Sequence, residues 1–503
     1  MKAITGTSLS VEEVVEIARR GGEVVLDPEA RARMTESAAL VEKLASSDEP
    51  AYGISTGFGA LATTFIPEER RVELQHSLVR SHAAGSGPEV EREVVRAMML
   101  LRARTLAMGY SGARPEVSDR LLAFLTEDLT PVVHEYGSLG ASGDLAPLAH
   151  VALAVIGEGR VEFGGEVVDA ASALASLGLD PLTLRSKEGL ALINGTDGIL
   201  GMLCLAIVDM VSLLDLADIA AAMTTEALLG TDRPFRPELH ALRPQPGQAV
   251  SAARMLSMLE GSPIVASHRD DDPRVQDAYS VRCTPQVNGA ARDTLGHVRR
   301  TAEAELVSAI DNPVILPDGS VESVGNFHGA PLGFVADFAA IALAEVGAIS
   351  ERRMDRMLDP ARSHGLPPFL TPEPGVRSGF MIAHYAAVSM AAENRRLAAP
   401  ASVDSMPTSA MQEDHVSMAW GAARKLRTVI ANTRRILATE VLIAAQALDL
   451  RGPLAPAART GAVRDAVRRS VPFLDEDRVL ADDIQAVERL AGDGSLVGAS
   501  GLA

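Results

Sequence analysis

Gly137-Ser-Leu-Gly-Ala-Ser-Gly-Asp144, running on into Leu145-Ala-Pro-Leu-Ala-His150, is the stretch of this chain whose residue types could do chemistry on themselves. It reads as a small-residue turn opening into a helix, with Asp144 placed to cap and Pro147 tolerated in the first turn. Glycines at 137, 140 and 143 remove the Cβ atoms that forbid tight backbone geometries. Turn chemistry alone would make this an ordinary helix entry. Two common motifs do not fit: Gly140-Ala-Ser-Gly143 falls short of a G-x-S-x-G nucleophile elbow, and no Gly-Lys-Ser/Thr follows to make a phosphate loop. Self-cyclisation does fit. Attack of the Gly143 nitrogen on the Ala141 carbonyl, with loss of two waters that include the Ser142 hydroxyl, gives a five-membered imidazolone bearing an exocyclic methylene. Glycine suits the attacking position because it hinders least, and serine is needed because its hydroxyl must leave.

The same segment resembles the signature of the aromatic amino acid ammonia-lyases, whose electrophile is this methylidene-imidazolone group, MIO. The resemblance runs in separate blocks from about Tyr52 to about Met418. It implies MIO formed from Ala141, Ser142 and Gly143, with no metal and no diffusible cofactor. Such an electrophile needs a base, a carboxylate anchor and a side-chain pocket. Tyr52, in the glycine-rich Ala51-Tyr-Gly-Ile-Ser-Thr-Gly-Phe-Gly59, matches the family's loop tyrosine and is the candidate for removing the β-proton. A phenol pKa of about 10 would have to be lowered for that work.

Gln276, Tyr279 and Arg282 lie three apart in Val275-Gln-Asp-Ala-Tyr-Ser-Val-Arg-Cys283 and share one face if that piece is helical. The segment resembles the family's Gln-Asp-x-Tyr-Ser-x-Arg pattern. Tyr279 would then position the amine and the electrophile, and Arg282, with its two-pronged fork, would hold the carboxylate. Asn194-Gly-Thr-Asp197 opens an apolar helix, where an amide can bind the carboxylate with help from the helix's positive end. Asn326 and Phe327, in Gly325-Asn-Phe-His-Gly329, match positions flanking the prosthetic group, whereas His328 has no comparable assignment.

Two further residues bear on the substrate. Ser81-His82-Ala-Ala-Gly85 resembles the histidine-specific version of a pocket-lining loop, and Glu413 in Gln412-Glu-Asp-His-Val-Ser-Met418 would face the substrate ring. The resemblance thus implies elimination of ammonia from L-histidine to give trans-urocanate, with tyrosine or phenylalanine lyase or aminomutase activity on the same scaffold as the alternative. Met411, where a small or polar residue is more usual, and Ala419-Trp420, where glycine is common, depart from the pattern and could reshape the pocket wall.

The elements that must position these residues are mainly α. Of 503 residues, 47% are hydrophobic and only 3% aromatic, a core of Ala, Leu, Val and Met that favours closely packed helices. Helices are expected near 68–80, 90–108, 197–229, 248–260, 292–310, 331–358, 380–398 and 414–447, with a capping box at Ser10–Glu13 and a hairpin over 159–168. The expected organisation is a long-helix bundle over 111–503, bearing the MIO-forming loop, and a smaller mixed N-terminal region over 1–110 carrying active-site loops. The apolar run 199–229 could span a bilayer by length, but Asp209, Asp215, Asp218 and Glu226 interrupt it and make it a buried bundle helix.

A net charge of −19 without a basic run disfavours nucleic acid and anionic membranes as partners. Two cysteines and no signal-peptide core point to a reducing, cytoplasmic setting. Eleven histidines include no H-E-x-x-H and no short ligand pair, so no metal site is expected. An all-helical scaffold or binding protein would explain the composition, but not separated polar motifs in glycine-rich loops. The resemblance further implies a homotetramer with active sites shared between subunits.

Overall fold

The computed structural model describes residues 1–46, 54–57, 61, 63–270 and 272–502. Helices dominate it, and the strands are short. The chain divides into two compact units, Met1–Val208 with Val298–Asp337 and Pro400–Arg424, and Asp209–His297 with Phe338–Ala399 and Lys425–Ala503. Four of the five boundaries fall inside the long helices Asp197–Ala227, Thr284–Glu305, Ala330–Leu358 and Ala419–Asp449, and the fifth follows helix Met381–Leu397.

In the first unit, local signals set the early elements. Ser10 accepts from the Glu13 amide while the Glu13 carboxylate reaches back to the Ser10 amide, so the expected capping box starts helix Val11–Arg20. Asp27 caps Pro28–Ala45, with proline in the first turn where its missing N–H costs nothing. Strands Lys2–Ile4 and Val24–Leu26 pair in parallel. The expected hairpin forms from Arg160–Phe163 and Glu166–Asp169, and Thr130–Pro131 adds a third strand.

Helix Arg92–Ala107 is buried along its whole length from Val94 onward. Its interior arginines are tolerated because backbone carbonyls accept their hydrogen bonds. Arg96 donates to Ala18 and Leu125, Arg102 to Asn194 and Ile310, and Arg104 to Ser308.

The second unit explains the acids that interrupt 199–229. Asp215 and Asp218 both accept from Arg292, and Asn288 donates to Asp218. Glu226 accepts from Ser262, the Ala457 amide and Thr460, though burial still pushes its carboxyl above the ordinary range. Deeper still, Arg353 and Glu440 are fully buried as a two-bond pair, with Thr224 and Ser350 supplying hydroxyls to the same carboxylate. Helices Asp197–Ala227 and Ala330–Leu358 are long and apolar enough to cross a membrane by length and composition, yet most of each apolar stretch is buried within the chain.

Most helix expectations hold within a few residues. Two differ. Helix Thr284–Glu305 begins eight residues earlier than expected, and the expected helix from 414 begins only at Ala419, because residues 408–418 are used for turns.

Candidate functional site

The Ala141-Ser142-Gly143 triad sits in the first unit in a turn clamped from three directions. Gly143 has φ 73° and forms a parallel bridge with Gly195; the next residue, Asp144, donates its amide to the Gly195 carbonyl at 2.7 Å. A Cβ on Gly143 would lie 2.9 Å from Gly195 Cα and closer still to its carbonyl, so only glycine fits. Ser138 spans the turn, donating to the Gly143 carbonyl at 3.2 Å and to Asp144 Oδ1 at 3.1 Å. From the other side Ser417 donates to the Gly140 carbonyl at 3.0 Å, and the Met418 amide to Leu139 at 2.8 Å. Ala141 and Gly143 are buried, and Ser142 is half-buried. A tight, left-handed turn with no room for a Cβ at 143 suits closure of a ring between residues 141 and 143.

Asp144 differs from its expected role. It occupies the N-cap position of Leu145–Val155 but makes no side-chain bond to that helix. Its Oδ2 instead accepts from the amides of Gly198 and Ile199, at 2.8 and 2.9 Å, so it caps the long helix Asp197–Ala227. Complete burial pushes its carboxyl up to about 7, against the pull of those amides. The positive end of that helix is therefore occupied by a protein carboxylate, not open to a ligand.

Asn194 ends the short helix Glu188–Ile193 and does not open the next one. Its amide nitrogen donates to Asp311 Oδ1 at 3.0 Å and to the Asn312 carbonyl at 2.9 Å. Asp311 in turn receives Lys187 Nζ at 2.7 Å, a pair with no exposed side-chain surface on the lysine.

Glu413 lies in a turn whose backbone pairs with Thr408 in both directions, and its Oε2 accepts the Thr408 hydroxyl at 3.0 Å. Ser409, Ala410 and Met411 all have φ between 49° and 69°, a conformation non-glycine residues adopt only when held. His82 ends helix Arg71–His82, its Nδ1 2.9 Å from the Leu78 carbonyl. Burial lowers its pKa, while the Leu78 carbonyl and the Glu413 carboxylate oppose that fall, which puts the two candidate substrate-ring residues within electrostatic reach of each other.

Asn326 is exposed and Phe327 half-buried. The unassigned His328 stacks on His415 with ring centroids 5.5 Å apart, and Gly329 packs against Ser417 and Ala419. That loop is thereby tied to the segment clamping the triad. Trp420 is not a pocket wall: it is buried, donates Nε1 to the Glu135 carbonyl at 2.8 Å, and packs against Gly198. Met411 is exposed.

The second unit carries Gln276, Tyr279 and Arg282. The common helical face expected for them does not form, because the helix is only Tyr279–Arg282 and Gln276 precedes it, exposed. Arg282 lies over the Tyr279 ring, 4.6 Å from its centroid, and donates Nε to the Asp277 carbonyl at 2.9 Å. Its two terminal nitrogens have no partner among the described residues. Tyr52 lies outside the described residues. Ser138, Lys187, Asp311 and Ser417 were not singled out from sequence. Ser138, inside the signature turn, carried a local hint, but the others act across long sequence separations. Among the described residues no cluster of three or more His, Cys, Asp or Glu could hold a metal ion.

A family model for aromatic amino acid lyases matches residues 9–469. The chain belongs to the aromatic amino acid lyase family. Histidine ammonia-lyase of Streptomyces avermitilis is 56% identical over 99% of this chain and 98% of its own length. That of Gloeobacter violaceus is 50% identical over 98% of this chain and 96% of its own. Among solved structures, a tyrosine aminomutase from Streptomyces globisporus matches with TM-score 0.93 at 40% identity, covering 99% of this chain and 98% of that one. Histidine ammonia-lyase from Trypanosoma cruzi matches with TM-score 0.91 at 39% identity, covering 99% and 94%. The chain is thus an enzyme, a carbon–nitrogen lyase on the helical fold of that family, and the scaffold alternative falls.

Proposed function

We propose that this enzyme eliminates ammonia from L-histidine to give trans-urocanate, using MIO formed from Ala141, Ser142 and Gly143. The observation that carries the reading is the clamped triad turn, left-handed at Gly143 and closed to any Cβ there. MIO, once formed, supplies an electrophile that makes the amine a better leaving group. The chain's own residues supply the rest. Ser138 and the Asp144 and Ser417 bonds hold the turn, with Ala141 and Gly143 buried. Arg282, whose two terminal nitrogens have no partner among the described residues, is the anchor for the substrate carboxylate, Tyr279 beneath it positions the amine, and Gln276 belongs to the same binding set. Tyr52 is the proposed base for the β-proton. Asn194, beside the carboxylate, and Asn326 and Phe327, flanking the prosthetic group, are proposed to complete the substrate-binding set.

Histidine is favoured over phenylalanine because His82 and Glu413 are polar groups that an imidazole can satisfy and a phenyl ring cannot. Each polar group left unpaired costs roughly 1–3 kcal/mol, so discrimination should be about tenfold or more. The names of the relatives at 50–56% identity favour the same substrate. A second reading, tyrosine lyase or aminomutase, draws on the tyrosine aminomutase match and on His82, which could receive a phenol hydroxyl.

The deciding experiment offers histidine, tyrosine and phenylalanine separately and identifies the products. Urocanate from histidine as the fastest reaction is expected. Faster turnover of tyrosine or phenylalanine, or a β-amino acid product, refutes the substrate reading. An intact mass not lower by two waters, or near-wild-type turnover of Ser142→Ala, refutes the MIO reading. We also propose a cytoplasmic homotetramer; exposed Phe338 and Ile341 on one helix and Ile382, Tyr385 and Val388 on another support burial between subunits.

A further inference from the structure

The two elements that bracket the triad turn also hold Gly85, the last residue of the Ser81–Gly85 loop. Strand His134–Tyr136 leads into Gly137 and pairs with Ser86–Glu89, which follows directly on Gly85. Helix Leu145–Val155 leaves the turn at Asp144 and carries His150. From that helix His150 Nε2 accepts the Gly85 amide at 3.1 Å. A backbone N–H can only donate, so this nitrogen carries no hydrogen, and the ring is neutral with its proton on Nδ1. Burial and the neighbouring His134, whose ring centroid is 5.4 Å away, lower the His150 pKa and favour that state. His134 is itself fixed, its Nδ1 lying 3.1 Å from the Gly87 carbonyl.

The approach is close enough to exclude a side chain at residue 85. A Cβ there would stand 2.8 Å from His150 Nε2 and 3.3 Å from His134 Cβ. Gly137, at the start of the triad turn, lies against the same backbone, because a Cβ on it would come 3.3 Å from Gly85 Cα. Only Ala83 and Ala84 separate this anchor from His82, and both are tightly turned. The Ala83 amide donates to the Val79 carbonyl at 3.1 Å and the Ala84 amide to the His82 carbonyl at 2.8 Å. A shift of Gly85 is therefore passed to the end of helix Arg71–His82, where His82 sits.

We infer that His150 is a positioning residue for the ring pocket: its bare Nε2 holds Gly85 and, through that short turn, sets the place of His82 relative to the triad. The inference rests on the reading of His82 as a substrate-ring residue given above. One helix then starts at the triad turn and carries the anchor of the ring pocket about a turn and a half later, so that the substrate's reacting end and its ring are gauged from the same element.

The test uses the full-length enzyme and two readouts. Hydrogen exchange followed by mass spectrometry reports the Gly85 amide. Competitive inhibition by imidazolepropanoate and by phenylpropanoate, against whichever amino acid the wild type deaminates, reports the preference for an imidazole ring; neither acid carries an amine, so neither is turned over. His150→Leu, which keeps bulk without an acceptor, should exchange the Gly85 amide at least about tenfold faster and lower the imidazole-over-phenyl preference about tenfold, through weaker binding of the imidazole acid. His150→Gln, whose amide oxygen can take the place of Nε2, should restore both. In a His82→Ala background His150→Leu should cost no further preference, because the two residues act through one contact. Gly85→Ala, which displaces the ring from the other side, should reproduce the loss and stands in if His150→Leu does not fold.

An unchanged preference in His150→Leu, an equal loss for both acids, or a Gln variant no better than the Leu variant overturns the inference. A wild type that prefers the phenyl acid refutes the histidine reading. Even then, unchanged exchange at Gly85 in His150→Leu overturns the inference, and faster exchange with an altered ring preference, both restored by Gln, upholds it.

Discussion

Gly143→Ala should block ring formation while sparing the fold, and the structure sets the scale. At φ 73° an alanine costs roughly 1–2 kcal/mol from the left-handed conformation alone. Its Cβ would also stand 2.9 Å from Gly195 Cα and nearer to the carbonyl, closer than side chains approach backbone, so Gly195 must move. Moving it breaks the 2.7 Å bond from the Asp144 amide, a buried group whose loss costs about 1–3 kcal/mol. The sum, about 2–5 kcal/mol, falls on one turn and not on the helical core. Intact mass spectrometry is the assay: the wild type should weigh two waters less than its sequence gives and the variant should not, while circular dichroism stays helical. Gly164→Ala is the control, because Gly164 has φ 63° but no heavy atom within 4 Å of a Cβ. It shares the conformational cost without the clash and should dehydrate fully. Complete dehydration of Gly143→Ala refutes the argument that the Gly143–Gly195 contact shapes the triad. Failure of Gly164→Ala to dehydrate would show that conformational cost anywhere suffices.

Arg282→Lys keeps the charge but loses the planar fork, so kcat/KM should fall by about 1–3 kcal/mol equivalent for every amino acid accepted; unchanged efficiency places Arg282 outside the site. Asp144 titrates near 7 in the fold and at 3.8 when unfolded, so between those pH values only the folded state holds the proton. Its contribution to stability therefore falls as pH rises from about 4 to about 7, by up to about 1.4 kcal/mol per pH unit, and Asp144→Asn should flatten that slope in denaturant titrations. Arg353→Ala strands the fully buried Glu440 and should destabilise by about 3–5 kcal/mol, read as a lower melting temperature; a surface-like loss under 1 kcal/mol contradicts the buried pairing.

Sequence patterning disclosed the helices because their signals are local: apolar runs between glycine and proline breaks, and a capping box at Ser10. It disclosed the triad for the same reason, since ring closure joins residues two apart. It failed where a residue's partner is distant. Residues 414–418 pattern as helix, yet Glu413 pairs back to Thr408 and Ser417 is drawn to Gly140. Asp144 looks like the cap of the helix that follows it, and it caps one more than fifty residues on, at Gly198 and Ile199. Gln276, Tyr279 and Arg282 have helical spacing, but the helix stops at four residues. Lys187 is an unremarkable lysine until Asp311 meets it across the fold. Trp420 departs from the family pattern for a packing reason that only its bond to Glu135 reveals.

The Ser417 bond also has a consequence for timing. Its partner Gly140 lies 277 residues earlier in the chain, so the clamp on the triad joins an early part of the polypeptide to a late one. A ribosome that has delivered residues 137–200 has made every atom of the ring-forming segment and of the Gly195 strap, but not the segment that closes the turn from the other side. If ring closure needs the clamp from both sides, it waits until residue 417 has been made. Chains that end before Ser417 should therefore show the full mass of their own sequence, whereas the finished protein should weigh two waters less than its sequence gives.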